Sequence, residues 1–223
     1  MRWLFVGGLI LTTACSRAPQ ASVVSIPVDD GWEMSRVVDT TWIPATVPGT
    51  VHTDLLAAGL IPDPFRGDVA GELRWIEDEA WIYRTHLVMD PRIPPTDRVE
   101  LVFEGLDTYA DVTLDGRPLL SADNMFRSWR VDLSDALLAD TSVLEVTFRS
   151  PTAEGALRAS DHPWPIPHQE PDATGTRAFV RKAAYHFGWD WGPRFVTSGV
   201  WRPVRLEAWS GARIRDVHIA QPV

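Results

Sequence analysis

Two tryptophans and an aspartate stand together in the segment Tyr185–Pro193, which reads YHFGWDWGP. In a regular strand Trp189 and Trp191 would lie on one face and Asp190 on the other, because side chains alternate along a strand. Glycines flank the trio on both sides, and the proline that closes the segment cannot donate a ladder hydrogen bond. The segment is therefore predicted to form a loop or bulge in which all three side chains reach one ligand.

These residue types suit the binding of a sugar. The C–H faces of a pyranose stack on flat indole rings, and an ionised carboxylate such as Asp190 accepts hydrogen bonds from two neighbouring hydroxyls. Two neighbours are candidates for supporting that carboxylate. His186 either positions Asp190 or is simply packed, and Arg181 either pairs with Asp190 or another acid or stands as a charge at a strand edge.

The composition limits the class of partner. The chain of 223 residues carries a formal net charge of −9 and shows no basic stripe, so nucleic acid is not an expected partner. It contains 11 tryptophans and 18 prolines, which indicates an all-β protein with long, shaped loops. A neutral polysaccharide or cell-wall glycan remains an acceptable partner.

Strand-like segments alternate with turn signals along most of the chain, which is typical of a sandwich or barrel. The segment 98–104 places Val99, Leu101 and Phe103 on one face. The dipeptide Asp115-Gly116 is a two-residue hairpin signal. The predicted strands are 81–88, 98–104, 109–114, 117–120, 126–133, 143–148 and 200–209.

Helix is expected only in short pieces. One is predicted over His52–Ala58, ended by Gly59, which accepts a left-handed conformation. The side chains predicted to face the core from this helix are Val51, Leu55 and Leu56. Residues 151–176 contain five prolines together with His162 and His168, and are predicted to form a long loop in which both histidines are exposed.

The first fifteen residues have the pattern of an export signal. Arg2 precedes an apolar run over residues 3–11, which is too short to span a membrane, and small residues lead to Cys15. This resembles the processing box of bacterial lipoproteins, with Cys15 as the lipidated residue; the alternative is an ordinary signal peptide cleaved near Ala14. The sequence thus predicts a periplasmic or outer-membrane lipoprotein without an internal disulfide, touching the membrane only through its anchor.

The domain organisation follows from these segments. Residues 1–15 are predicted to be the signal peptide, 16–25 a polar tether and 26–210 one β-sandwich. Residues 211–223 are predicted to begin a further domain, because 213–220 alternates like a strand that has nothing after it to pair with. The alternative is a last strand added to the same sandwich.

Three sequence blocks together resemble the N-terminal region of β-mannosidases of the glycoside hydrolase family 2 type. They are 47–65 with 73–84, 101–116 with 123–129, and 181–193 with 197–207. The resemblance implies a jelly-roll, galactose-binding-like sandwich followed by an immunoglobulin-like domain and a TIM barrel. It also implies that Trp189, Asp190 and Trp191 contact the terminal mannose of a β-mannoside, and that the two catalytic glutamates lie in the barrel, the chain's own missing partner.

The sequence agrees that the catalytic glutamates lie outside this chain, because no catalytic pair of carboxyl groups is predicted among its residues. Retaining glycosidases need two carboxyl groups about 5–5.5 Å apart. The acidic run Glu77–Glu79 is predicted to be a solvated charge run, and Asp107 and Asp111 are predicted to form turns. His52 is expected to support the turn at Pro48-Gly49, and neither a metal site nor a cofactor is predicted.

Two other functions stay open from the sequence. The chain could be a stand-alone carbohydrate-binding lipoprotein. It could also be the equivalent domain of another family-2 exo-glycosidase, such as an exo-glucosaminidase.

Overall fold

The structure is a computed structural model that describes residues 23–67, 69–88, 90–93, 98–134, 141–164, 166–167 and 175–221. The strands in chain order are β1 Val23–Pro27, β2 Glu33–Arg36, β3 Ile43–Pro44, β4 Trp81–Val88, β5 Arg98–Phe103, β6 Tyr109–Leu114, β7 Arg117–Asp123, β8 Trp129–Asp132, β9 Thr141–Phe148 and β10 Val204–Trp209. The helices are α1 Val51–Ala57, α2 Val69–Glu72, α3 Trp75–Asp78 and α4 Pro151–Asp161, and 3₁₀ turns span Thr176–Phe179 and Ala184–Phe187.

The strands form two antiparallel sheets packed face to face. One has four strands in the order β1-β10-β5-β8, and the other has six in the order β3-β2-β4-β9-β6-β7. Apolar side chains from both sheets fill the space between them, among them Val99, Leu101 and Phe103 of β5 and Leu144 and Val146 of β9. The predicted all-β sandwich and the predicted core face of β5 are therefore confirmed.

Local turn chemistry fixes the register of the longest hairpin. Asp115 and Gly116 have φ values of 49° and 74° between β6 and β7, which are the two positive φ angles of a type I′ turn. The Asp115 carboxylate also accepts a 2.8 Å hydrogen bond from the backbone N–H of Val143 on β9. The hairpin predicted from the Asp-Gly pair is confirmed.

Helix α1 begins with a capping box, in which Thr50 and Thr53 exchange side-chain to backbone hydrogen bonds. Gly59 follows the helix with φ of +68°, as predicted. Val51 and Leu55 are buried, but Leu56 is 40% exposed. The prediction that Leu56 faces inward is wrong: Val51, His52, Asp54 and Leu55 form the buried face of the helix, and Leu56 lies just beyond the edge of that face.

Strands β8 Trp129–Asp132 and β10 Val204–Trp209 are shorter than the predicted segments 126–133 and 200–209, and three other differences are larger. Helix α4 occupies 151–161, where a loop was predicted; Pro151 stands at the first turn, where its missing N–H costs nothing, and Ser150 caps the helix. Strand β1 begins at Val23, inside the predicted tether, because residues 23–27 pair with β10. No strand forms over the described residues 212–221, so the strand predicted at 213–220 is wrong.

The further immunoglobulin-like domain stays a prediction. Of the residues that the structure describes, none belongs to a helix that is long and apolar enough to cross a membrane.

Candidate saccharide-binding site

The segment with two tryptophans is a tight hairpin. The backbone N–H of Trp189 donates to the carbonyl of Gly192 at 3.1 Å, and the N–H of Gly192 donates back to the carbonyl of Trp189 at 3.2 Å. Asp190 and Trp191 are thus the two residues of the turn. Gly188 enters the hairpin with φ of 88° and ψ of 170°, a conformation that a residue with a Cβ rarely adopts. The segment is a loop, as the alternation of side chains required.

The hairpin carries its three candidate binding side chains into solvent. Trp189 is 46% exposed and Trp191 is 84% exposed. Asp190 is also exposed, and no hydrogen bond or ion pair joins its carboxylate to another described residue. A carboxylate in this position is available to accept hydrogen bonds from a ligand, next to an indole ring whose surface is free.

Of the two predicted supporting residues, neither contacts Asp190 in the described part of the chain. Arg181 is exposed, and its backbone carbonyl accepts a hydrogen bond from the N–H of Met125 at 3.1 Å. His186 instead joins the two stems of the hairpin. The N–H of Phe195 donates to the His186 carbonyl at 2.9 Å, and the His186 Nδ1 lies 3.1 Å from both Phe195 O and Thr197 Oγ1.

His186 is neutral in this setting. Burial, reinforced by the positive charge of Lys182, lowers its pKa to about 4. Thr197 uses its hydroxyl hydrogen on Asp107, at 2.7 Å, and the carbonyl of Phe195 can only accept. The Nδ1 of His186 must therefore carry the hydrogen, so that the ring donates to Phe195 or Thr197 and bridges the stems.

Beneath the hairpin lies a buried ion pair between Lys182 and Asp107. Their side chains are 0% and 1% exposed, and the Lys182 ammonium also donates to the carbonyl and hydroxyl oxygens of Thr197 at 2.9 and 3.0 Å. Thr108 donates to the other Asp107 oxygen at 2.5 Å. Burial lowers the pKa of Lys182, and the Asp107 carboxylate opposes that shift. The pair ties the residues on both sides of the hairpin to the loop after β5.

This pair corrects the interpretation of Asp107 as a turn former. The residues of the cluster were missed because Lys182 and Asp107 are 75 positions apart, and neither has a sequence pattern that names its partner. The one available signal was the position of Lys182 directly before the aromatic segment, since a lysine there needs a carboxylate if it is buried.

A second ion pair holds the other side of the hairpin. Arg194 donates from Nε to both oxygens of Glu77, at 2.8 and 3.1 Å, and its guanidinium lies 5.3 Å from the centre of the Phe187 ring. Glu77 is 6% exposed, so the prediction of a solvated run at 77–79 is wrong for this residue. Burial raises the pKa of Glu77, and Arg194 opposes the rise. The hairpin is thereby fixed to helix α3.

His52 packs against the same stem. It is 8% exposed, its ring lies edge-on to Phe195 with 5.8 Å between the centres, and its Nδ1 has no hydrogen-bond partner in the structure. Burial, with a smaller contribution from the positive charge of Lys182, lowers its pKa to about 4. The residue packs against the hairpin stem, and its support of the turn at Pro48-Gly49 stays a prediction.

An open groove of about 510 Å³ runs along one side of the hairpin. Trp189 lies on one wall, and the opposite wall is formed by Pro64, Phe65, Gly67, Ala70, Gly71 and Arg74. Of the residues that the structure describes, neither Asp190 nor Trp191 lines this groove. The two tryptophans of the trio therefore face different spaces.

The remaining candidates lie elsewhere or outside the described residues. His162 is exposed, as predicted. Cys15 and His168 fall on residues that the structure does not describe, so lipidation at Cys15 stays a prediction. Within the described ranges no group of three or more His, Cys, Asp or Glu side chains is arranged to hold a metal ion.

A comparison with protein families decides the relationship of the chain. The model described as the glycosyl hydrolase 2 galactose-binding domain-like family matches residues 32–202. The chain belongs to this family. In this glycosyl hydrolase 2 domain, the matched region includes the whole six-stranded sheet, strands β5 and β8 of the four-stranded sheet, and the hairpin from Gly188 to Gly192.

Curated relatives share sequence over most of the chain. Beta-mannosidase B of Thermothelomyces thermophilus is 40% identical over 200 residues, which are 87% of this chain and 23% of that protein. Beta-mannosidase B of Aspergillus terreus is 41% identical over 195 residues, or 84% of this chain and 22% of that protein. The chain is homologous to the N-terminal part of these proteins and spans about a quarter of their length.

Solved structures agree with this relationship. The crystal structure of a beta-D-mannosidase from Dictyoglomus thermophilum matches with a TM-score of 0.81 and 39% identity, covering 87% of this chain and 23% of that one. An exo-chitosanase from Amycolatopsis orientalis matches with a TM-score of 0.57 and 18% identity over 83% of this chain and 20% of its own. The second likeness shows the fold alone.

Proposed function

We propose that this domain binds the terminal β-D-mannose residue for an exo-acting β-mannosidase whose catalytic carboxylates are supplied by a separate, C-terminal domain. The observation that carries the proposal is the hairpin, which holds an unpaired carboxylate between two exposed indoles on a rigid, ion-paired base. Asp190 accepts hydrogen bonds from two sugar hydroxyls, and the Trp191 ring stacks on the sugar's C–H face. Relatives of the chain that carry the name beta-mannosidase support the choice of mannose.

The buried acids of the described residues support the assignment of catalysis to another domain. Glu77 is paired with Arg194, Asp107 with Lys182, and Asp54 accepts a hydrogen bond from the Tyr83 hydroxyl at 2.9 Å. The other two buried acids, Glu100 and Glu207, are both ion-paired with Arg130 and Arg213. Each carboxyl group is occupied inside the sandwich. The chain alone should therefore not release p-nitrophenol from p-nitrophenyl β-mannoside, and release by the pure chain would contradict the proposal.

The binding role is tested by a graft. Residues 26–209 replace the matching region of the Dictyoglomus thermophilum beta-D-mannosidase, and hydrolysis of p-nitrophenyl β-mannoside is measured. Asp190→Asn weakens two hydrogen bonds to a charged group, so kcat/KM should fall by roughly 30- to 1000-fold, or about 2–4 kcal/mol. Trp191→Ala should lower kcat/KM by about tenfold.

Both substitutions are at exposed positions, so their effect on activity can be separated from an effect on folding. Asp190 and Trp191 lie at a solvent-exposed turn, so neither substitution should change the unfolding midpoint. Trp164→Ala is the matched control, because this indole is 73% exposed and does not line the groove beside the hairpin. Full activity of the Asp190→Asn graft would show that the hairpin does not bind the substrate. Preference of the graft for p-nitrophenyl β-glucosaminide would point to another family-2 specificity.

We also propose that the protein is exported and lipidated at Cys15. The apolar run at residues 3–11 and the small residues before Cys15 support this. Labelled palmitate should enter the wild-type chain expressed in a Gram-negative cell, and the label should be lost in Cys15→Ala. Equal labelling of both chains would contradict the assignment.

A further inference from the structure

We infer that the groove between the hairpin and the wall that contains Phe65 and Arg74 is a second saccharide subsite, for the neutral pyranose unit that adjoins the one held at the hairpin tip. The inference rests on the proposed function, since it extends the same ligand by one sugar. It assigns to Trp189 a role different from those of Asp190 and Trp191, and it adds Phe65 and Arg74 to the ligand-binding residues.

The walls of the groove offer aromatic surface from both sides. Trp189 is 46% exposed on the hairpin side, and Phe65 is 79% exposed on the opposite side. Grooves lined by aromatic side chains with a few polar groups are typical of small-ligand sites. Two aromatic walls suit a pyranose, because both faces of the ring carry C–H groups that pack on aromatic carbon.

The position of the Phe65 ring is fixed by the hairpin stem. Phe65 lies edge-on to Phe195, with 5.5 Å between the ring centres. Phe195 is also the residue whose backbone joins His186 across the two stems. The two walls of the groove are therefore held by one structural unit, which keeps their separation constant without a ligand.

Small residues keep the groove open between these walls. Gly188 and Gly192 lie on the hairpin side, and Gly67, Ala70 and Gly71 lie on the other. No atom lies within 4 Å of the position that a Cβ on Gly71 would occupy. The resulting space of about 510 Å³ falls within the range of roughly 300–1,000 Å³ that is typical of small-ligand sites.

Arg74 supplies a hydrogen-bond donor for sugar hydroxyl groups at the edge of the groove. Arg74 is exposed at its edge and makes no hydrogen bond or ion pair from its guanidinium to a described residue. Arg194 also lines it, but Glu77 holds and neutralises that guanidinium. The Arg74 guanidinium can donate hydrogen bonds to hydroxyl oxygens of a sugar while the sugar ring stacks on the two aromatic side chains.

The test compares one sugar with two. Binding of methyl β-D-mannopyranoside and of β-1,4-mannobiose to the full chain is measured by calorimetric or NMR titration. The disaccharide should bind about tenfold more tightly, as expected for one added aromatic contact. Phe65→Leu keeps an apolar contact with Phe195 but removes the flat ring, and Arg74→Gln removes the charge. Each should reduce the tenfold preference to less than about threefold and leave monosaccharide binding unchanged.

Two further variants separate the subsites. Trp191→Ala should weaken both ligands by the same factor. Leu60→Ala, at a position that is 61% exposed and lines a different cavity beside Trp75, is the control and should change neither affinity. Equal affinity of the wild-type chain for the two ligands, an unchanged preference in Phe65→Leu, or no binding of either ligand would overturn the second subsite.

The failure of this inference is distinguishable from failure of the proposed function. If the grafted enzyme loses activity with Asp190→Asn while Phe65→Leu keeps the disaccharide preference, the hairpin binds mannose and the groove is not a subsite. If hydrolysis by the graft does not depend on Asp190, the proposed function is wrong, whatever the titrations show.

Discussion

Substitution of Lys182 by methionine tests whether the buried ion pair holds the hairpin. Methionine keeps most of the aliphatic length of lysine but removes the ammonium group. The carboxylate of Asp107, which is 1% exposed, then retains only the hydroxyls of Thr108 and Thr197 as donors. A charge would be left in the interior without its counter-charge, and the hairpin would lose the contacts of the ammonium with Thr197.

The expected cost is large relative to the stability of a domain. Removing one partner of a buried ion pair destabilises a protein by about 3–5 kcal/mol, whereas a whole domain is stable by about 5–15 kcal/mol. With a urea dependence of about 2 kcal/mol per M, the unfolding midpoint should fall by roughly 1.5–2.5 M. The eleven tryptophans of the chain supply the fluorescence signal.

A second substitution gives the control. In the double variant Lys182→Met, Asp107→Asn the uncompensated charge is gone, so at least half of the lost stability should return. A loss below about 1 kcal/mol in Lys182→Met, or a double variant no more stable than the single one, would refute the claim that the pair is a buried, mutually compensating unit.

Three further predictions concern the same framework. His52→Phe should reduce the stability that the protein loses on acidification from pH 6.5 to 4, because the pKa of His52 is about 4 in the native state and about 6.5 in the unfolded chain, which therefore binds the proton first. The pH-dependent loss of unfolding free energy should differ between the two chains by about 3 kcal/mol at pH 4, and parallel curves of stability against pH would contradict the prediction. Gly199→Ala should lower the free energy of unfolding by several kcal/mol, because φ at this glycine is +150° and a Cβ would lie 2.7 Å from a backbone oxygen. Gly71→Ala, with open space around it, should change the free energy of unfolding by no more than about 0.5 kcal/mol in the same urea titration, and similar midpoints for the two variants would show that the loop adapts. Asp54→Ala should lower the free energy of unfolding by about 2–4 kcal/mol, because it leaves the buried Tyr83 hydroxyl and a backbone N–H without partners. The double variant Asp54→Ala, Tyr83→Phe should lose less than the sum of the two single losses, and strict additivity would mean that the hydrogen bond contributes nothing.

The strand framework could be predicted because it follows from local patterns. Strands β4 and β6 have the bounds that alternation of apolar residues predicted, and the Asp115-Gly116 turn needs only the positive φ preference of its two residues. Helix α4 could not be predicted in the same way. Its prolines favoured a loop, whereas packing on the 3₁₀ turn at Thr176–Phe179, where a Cβ on Gly155 would meet Thr176 at 3.0 Å, decides for a helix.

The candidate site could also be predicted only in part. Residue types and strand alternation were enough to predict that Trp189, Asp190 and Trp191 lie in a loop and that their chemistry suits a sugar. The support of that loop depends on Lys182 meeting Asp107 and Arg194 meeting Glu77, pairs that are 75 and 117 positions apart. Nothing local selects these partners, because neither acid lies in a sequence pattern that points to its basic partner.

The sequence by itself determined that the trio forms a loop, since a strand would place Asp190 on the wrong face. Only the tertiary structure decided which space each side chain enters: Trp189 faces a groove with Phe65, while Asp190 and Trp191 form the exposed tip. The physical reason is that side-chain direction along one segment follows from local backbone geometry. The opposite wall of a binding site comes from a distant segment, which the sandwich brings within a few ångströms.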